Sequence, residues 1–208
     1  MSSEGGGDLY IISAPLGAGK TSLISSLLQR HPELALSVSD TTRPAREGEV
    51  DGQHYHFLDP EDFRAGIDRG DYLEHAEVFG NFYGTRREQV AAFWAAGRPV
   101  LLEIDVQGAD QVRRSLEDTC AIFVLPPSPE ALRERLEKRG KDTPEVIQRR
   151  LDEARGEMSA WPRFDFLVIN DDFEKALDEL SSILTAWPLR TNRQSIRQAQ
   201  RLDQFTRG

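Results

Sequence analysis

The stretch Ala14-Pro15-Leu16-Gly17-Ala18-Gly19-Lys20-Thr21 constrains this chain more than any other. It follows a short apolar run at 9–12 and precedes Leu23, Ile24, Leu27 and Leu28, which share one helical face. A loop between a buried strand and a helix start must turn within a few residues. Glycine at 17 and 19 lets backbone N–H groups point inward around phosphate oxygens with no side chain in the way. The helix N-terminus adds its partial positive charge. Lys20 is placed to reach the outer phosphates of a nucleoside triphosphate, and the Thr21 hydroxyl to ligate Mg²⁺.

Strand, glycine-rich turn and helix in that order make this a P-loop, although position 14 is Ala where the usual pattern begins with Gly. The rest of the chain repeats the strand–helix alternation. Buried strands are expected at 99–104, 121–125 and 166–169, followed by helices at 107–116, 129–139 and 173–187. Short apolar runs between helices predict an α/β fold, a parallel sheet covered by helices on both faces. Two segments interrupt it. Residues 37–84 are rich in turn residues, with Tyr55, Phe57, Tyr72, Phe79 and Tyr83 spaced as in short strands, and predict an inserted substrate-binding lobe. Residues 133–155 are dense in charge, with a helix break at 140–144, and predict a mobile helical flap. The tail from 190 predicts a solvated polar helix, with a subunit contact in a homo-oligomer left open.

A chain of 208 residues suits one well-cored domain. No apolar stretch approaches the roughly 20 residues that span a bilayer, so no membrane partner is expected. The N-terminus lacks the basic start and apolar run of a secretory signal. Cys120 is the single cysteine, in an apolar run where a structural thiol is expected, and with no internal disulfide the chain fits a reducing cytoplasm. The net charge of −9 argues against a nucleic-acid partner. An anionic substrate must therefore be held by local basic groups.

The P-loop alone does not say where a phosphoryl group goes. The Asn-Lys-x-Asp motif of a GTPase is missing from the sequence. The segments Ser37-Val38-Ser39-Asp40-Thr41-Thr42-Arg43-Pro44-Ala45-Arg46, Gly48-Glu49-Val50-Asp51-Gly52 with Tyr55, Glu74-His75-Ala76-Glu77 and Gly80-Asn81-Phe82-Tyr83-Gly84-Thr85 are more specific. So are Ile104-Asp105-Val106-Gln107-Gly108 and Val168-Ile169-Asn170-Asp171-Asp172. Together these resemble guanylate kinase, a P-loop nucleoside monophosphate kinase family, over most of the chain.

The resemblance implies transfer of the γ-phosphoryl group of ATP to GMP, with Mg²⁺ as cofactor. It implies a core at 8–36, 86–132 and 159–190, a GMP-binding lobe at 37–85, a lid at 133–158 and a tail at 191–208. Ser39, Glu74 and Thr85 resemble the family's guanine-reading residues, with Asp105 near the base and the metal. Arg43, Arg46, Tyr55 and Tyr83 resemble its clamp on the GMP phosphate. Ala14 through Thr21, with Arg135 and Asn170, resemble its ATP side. Lys20, Arg43, Arg139 and Arg150 resemble its catalytic cations, and Thr21 its Mg²⁺ ligand, with a water link to Asp105 left open.

The residue chemistry agrees. Two arginines three apart suit bidentate bonds to one phosphate, with tyrosine hydroxyls completing its shell. Core aromatics with wet tips remain the alternative for Tyr55 and Tyr83. A carboxylate accepts only, which suits guanine's N1–H and N2–H₂, and a hydroxyl of Ser39 or Thr85 is placed to donate to O6. The alternative for Glu74 is a solvent-facing strand residue. Leu16 stands where the family commonly has Ser, and Glu103 where it has Asp. A guanylate-kinase-like scaffold domain would not need Lys20 or the lid arginines, and a kinase of a phosphorylated sugar would not need Glu74 and Thr85.

Overall fold

The computed structural model describes residues 7–78, 80–138 and 144–206. The chain opens with β1 (Leu9–Ser13), in which every residue is buried, as a strand covered on both faces requires. Helix α1 (Lys20–Arg30) begins at the P-loop lysine, just after Gly19 at φ 91. Then come β2 (Ala35–Ser37), β3 (Asp40–Thr41) and β4 (His56–Phe57). Helix α2 (Pro60–Arg69), β5 (Tyr72–Val78) and β6 (Asn81–Arg86) lead into α3 (Arg87–Ala95). The core continues with β7 (Val100–Glu103), α4 (Val106–Ser115) and β8 (Cys120–Leu125). The helices α5 (Pro129–Lys138) and α6 (Pro144–Met158) precede β9 (Phe166–Ile169) and α7 (Phe173–Ala186). Two short helices, α8 (Thr191–Arg197) and α9 (Ala199–Thr206), end the described chain.

Five of the strands form a parallel sheet in the order β2-β7-β1-β8-β9. Successive residues of its strands feed opposite faces. Tyr10, Ile12, Leu101 and Ile122 pack with Leu23, Leu27 and Leu180 from α1 and α7. Leu9, Ile11, Leu102 and Ala121 pack with Val90, Ala109 and Val112 from α3 and α4. The α/β expectation therefore holds, with the three later core strands and their helices within a residue or so of the sequence reading. Cys120 is fully buried in this sheet, and burial pushes its thiol well up, as befits a packing residue.

The inserted segment carries a second, four-stranded sheet, β4-β3-β6-β5. Its aromatic spacing suggested strands only, yet it also holds α2. The local signals for that helix were present: Pro60 in the first turn, Glu61 and Asp62 beside the helix's positive end, and Gly70 left-handed (φ 74) at its close. The β5–β6 register shifts between Tyr72 and Glu74. Tyr72 opposes Arg86 while Glu74 opposes Thr85, so the bulge turns two residues that would share a face to opposite sides.

The tail is helical and mostly exposed, as expected, with one buried anchor. Arg193 is buried and pairs with Asp8 (2.8 Å) and Asp118 (3.2 Å), and Arg197 also reaches Asp8 (2.8 Å). The helix periodicity could not show that these arginines close onto the start of β1. Among the described residues no helix is long and apolar enough to cross a membrane.

Candidate active site

The P-loop spans the top of β1 and the first turn of α1. Gly17 and Gly19 both have positive φ, 92 and 91. A Cβ on Gly19 would lie 2.5 Å from Asn170 Nδ2, so this position excludes side chains for a packing reason as well as a conformational one. Asn170 is buried and donates to the Ala18 carbonyl (2.7 Å). Arg135 donates to the same carbonyl (3.2 Å) and to the Asn170 carbonyl (3.0 Å). Both residues assigned to the ATP side thus meet the back of the loop. Pro15 and Ala18 are buried, Ala14 is half-buried, and Leu16 is exposed.

The mouth of the loop holds one carboxylate, and it is Glu103 rather than Asp105. The Thr21 hydroxyl donates to Glu103 Oε1 (3.4 Å), and Lys20 Nζ lies 3.7 Å from the same oxygen. Parallel pairing of β1 with β7 aligns Ile12 with Glu103 and brings the two strand ends together. Asp105 lies beyond the strand end, where its carboxylate caps α4 by accepting from the Gly108 N–H (2.7 Å). Glu103, at the end of β7, is the carboxylate that Thr21 meets directly. Thr21 and Glu103 offer hard oxygen donors, and that donor set suits Mg²⁺ shared with phosphate oxygens.

The lobe sheet presents the remaining candidates. Arg43 packs over Tyr55 (5.4 Å from its ring centre), and the Tyr55 and Tyr83 rings meet edge-on at 5.9 Å. Glu49 joins them: Arg43 Nη2 donates to Glu49 Oε1 (2.9 Å), and the Arg46 backbone N–H to Glu49 Oε2 (2.7 Å). That bond holds the Arg43 guanidinium above its ordinary pKa and the Glu49 carboxyl below its own. Burial, then the charge of Glu103, pushes the Tyr55 hydroxyl up.

Glu74 is 4% exposed, which removes the solvent-facing alternative. The Thr85 hydroxyl donates to its Oε1 (2.6 Å) rather than standing free for a base oxygen. Cross-strand pairing of Glu74 with Thr85 brings these two side chains together, and Ser39 is half-buried. Burial raises the Glu74 carboxyl to about 7; Asp105 adds to the rise and Thr85 opposes it. Helix α4 makes room for this carboxylate, because a Cβ at Gly108 would sit 2.5 Å from Glu74 Oε2. One turn on, Gln111 grips the His75 backbone, donating to its carbonyl (2.7 Å) and accepting from its N–H (3.2 Å).

The flap is a helix pair, α5 and α6, with its own small core of Leu132, Leu136, Ile147, Leu151 and Ala154. A Cβ on Gly17 would meet Leu132 (2.8 Å), so this core stands directly on the P-loop. Arg150 is half-buried on α6, whereas Arg139 lies outside the described residues.

A family model described as guanylate kinase matches residues 6–187. The chain belongs to the guanylate kinase family. It is accordingly an enzyme, a nucleoside monophosphate kinase. Guanylate kinase from Hahella chejuensis is 56% identical over 191 residues, covering 92% of this chain and 92% of its own. The guanylate kinase of Alkalilimnicola ehrlichii is 53% identical, covering 90% and 93% of the two chains. The crystal structure of guanylate kinase from Anaplasma phagocytophilum superposes with a TM-score of 0.76 at 35% identity, over 91% of this chain and 90% of that one.

Two participants were not read as site residues. Glu103 figured only as a departure from the family's Asp, although a carboxylate ending a strand beside the P-loop strand was a usable signal. Glu49 lay within a quoted motif, but its bond to Arg43 forms within an irregular loop and follows no periodicity.

Proposed function

We infer that this chain transfers the γ-phosphoryl group of ATP to a phosphate oxygen of GMP, giving ADP and GDP. The bond between the γ-phosphorus and the β,γ-bridging oxygen breaks as one to the GMP phosphate oxygen forms. The acceptor is already anionic, so no covalent intermediate and no dedicated general base are needed. The observation that carries this reading is the P-loop mouth, where Thr21 donates to Glu103 and Lys20 approaches it, in a chain whose family model is that of guanylate kinase.

In this reading the loop N–H groups and Lys20 hold the triphosphate, with Arg135 and Asn170 bracing the loop from behind. Arg43, Arg46, Tyr55 and Tyr83 hold the acceptor phosphate, and Glu74, Ser39, Thr85 and Asp105 face the base. Thr21 and Glu103 hold Mg²⁺, which when bound neutralises phosphate charge. Arg139 and Arg150 belong to the lid. Action in the cytoplasm fits the lone buried thiol.

Purified protein should phosphorylate GMP with ATP and Mg²⁺, and should leave AMP and a phosphoribosyl acceptor nearly untouched. Equal turnover of GMP and AMP, or none of GMP, would remove the assignment.

The lid should close when both nucleotides bind, since each brings phosphate charge that its arginines meet only in the closed form. Small-angle scattering with a bisubstrate analogue should then show a smaller radius of gyration. An unchanged radius with the analogue bound, shown by calorimetry, would count against a moving lid.

A further inference from the structure

The lobe sheet has a front and a rear. On the front, Glu74 and Thr85 meet beside Gly108 of α4. On the rear, the Asp40 carboxylate is fully buried, and its Oδ2 accepts from Arg86 Nε (2.6 Å) and from the Tyr72 hydroxyl (2.8 Å). Asp40 opposes Gly84 in the β3–β6 pairing, and Arg86 opposes Tyr72 in the β5–β6 pairing. One carboxylate therefore ties three strands. The absent side chain at Gly84 leaves the space, since a Cβ there would press on Tyr72 (2.9 Å) and Phe63 (3.0 Å).

The position of this tie along the chain gives it its consequence. Asp40 lies three residues past Ser37, the last residue of core strand β2, and Arg86 immediately precedes α3. These are the two points at which the chain leaves the core for the lobe and returns. Asp40 also follows Ser39, and Arg86 follows Thr85, the hydroxyl bonded to Glu74. The Asp40–Arg86 pair thus bonds the neighbour of one base-facing residue to the neighbour of another, at the hinge between lobe and core.

Resting on the guanine-reading assignment made above, we propose that Asp40 and Arg86 are positioning residues for base recognition. They touch no substrate. Their ion pair sets the separation of the two crossings, and with it the placement of Ser39 and of the Glu74–Thr85 pair against α4. The pair is costly to break from one side. Asp40 Oδ1 is buried without a partner among the described residues, so removing Arg86 leaves a buried carboxylate with only Tyr72 as donor.

The test is steady-state kinetics on Asp40→Asn, Arg86→Gln, the double variant and the milder Arg86→Lys, with circular dichroism and melting to show which are folded. Each single variant should raise KM for GMP about 10-fold, the scale of one charge-assisted hydrogen bond, and narrow the GMP-over-AMP preference. KM for ATP should stay within about twofold, because the P-loop lies on another sheet. The double variant should recover part of the loss, since no lone charge then remains buried. Arg86→Lys keeps the charge but not the Nε geometry and should fall between wild type and Arg86→Gln. Folded single variants with unchanged KM for GMP would overturn the proposal. So would equal rises in KM for GMP and ATP, the mark of general loosening. Glu74→Gln, run alongside, separates the two layers. If it leaves the GMP/AMP ratio unchanged, the base-reading assignment fails; if it alone loses selectivity, only the positioning role fails.

Discussion

Lys20→Ala is expected to lower turnover by at least ~100-fold, the scale of losing one donor aimed at transition-state charge. Lys20 Nζ sits at the mouth of the P-loop, 3.7 Å from Glu103. Charge moves outward over the transferred phosphoryl group during the reaction, so a point charge there gains most in the transition state. The loop N–H groups still cradle the triphosphate in the variant, and binding of ATP should suffer less than its turnover. GMP binding should survive nearly intact, because the clamp built on Arg43 and Glu49 lies in the loop between β3 and β4, away from the P-loop. Calorimetry of GMP binding beside single-turnover kinetics separates these effects. Near-normal turnover in Lys20→Ala would sink the proposed chemistry, and lost GMP affinity would show that the lobe and the loop are not independent.

Base choice should show an effect at least as large. Guanine offers N1–H and N2–H₂ as donors, which suit a carboxylate, whereas adenine presents a bare N1 lone pair. Glu74 is buried and only Oε1 is met by Thr85, so facing adenine would leave Oε2 without a base donor, and a site of this kind rejects the wrong partner by about 10⁴-fold. Glu74→Gln should lower kcat/KM for GMP by roughly 10–100-fold, the scale of a hydrogen bond to a charged group. It should also narrow the gap to AMP, whose N1 can accept from the new amide. Equal GMP/AMP ratios before and after the change would show that Glu74 does not read the base.

The same carboxyl predicts a pH signature. Burial raises the Glu74 carboxyl to about 7, above its ordinary 4.5. Guanine's donors need the ionised form, so kcat/KM for GMP should rise with pH through about 7. The second ionisation of a phosphate monoester, near ~6, adds a rise of its own. That contribution is common to Glu74→Gln, so the difference between the two profiles isolates Glu74. Stability should run the other way. A carboxyl whose folded pKa is raised contributes most below its unfolded value and loses that contribution as pH rises through about 7. Glu74→Gln should therefore melt at a higher temperature relative to wild type at pH 8 than at pH 5, and a constant difference would contradict the raised pKa.

Much of this protein was legible from its residues in order. Gly17, Gly19, Lys20 and Thr21 announce a phosphate cradle because a cradle is local: its donors are consecutive N–H groups and its helix begins within the motif. Strand β8 was visible because both faces of a parallel sheet are covered there, which forces a continuous apolar run, and the edge strand β9 shows the same apolar run although Leu167 and Ile169 are exposed. The clamp set of Arg43, Arg46, Tyr55 and Tyr83 came from resemblance, and three of its members do meet, around Glu49. What stayed hidden was every contact that depends on which strand lies beside which. Glu103 reaches Thr21 across 82 residues of chain because β7 is the neighbour of β1. Glu74 turns toward Gly108 because Leu73 is bulged, and a bulge leaves the hydrophobic alternation readable in two registers. Asp40 finds Arg86 only once β3 and β5 flank β6. Local sequence determined the phosphate-binding loop and the class of fold, since both follow from short-range backbone geometry and burial. The tertiary structure decided which carboxylate meets the P-loop, which one the base pocket holds and which one pins the lobe, because each choice rests on pairings between segments that the sequence keeps far apart.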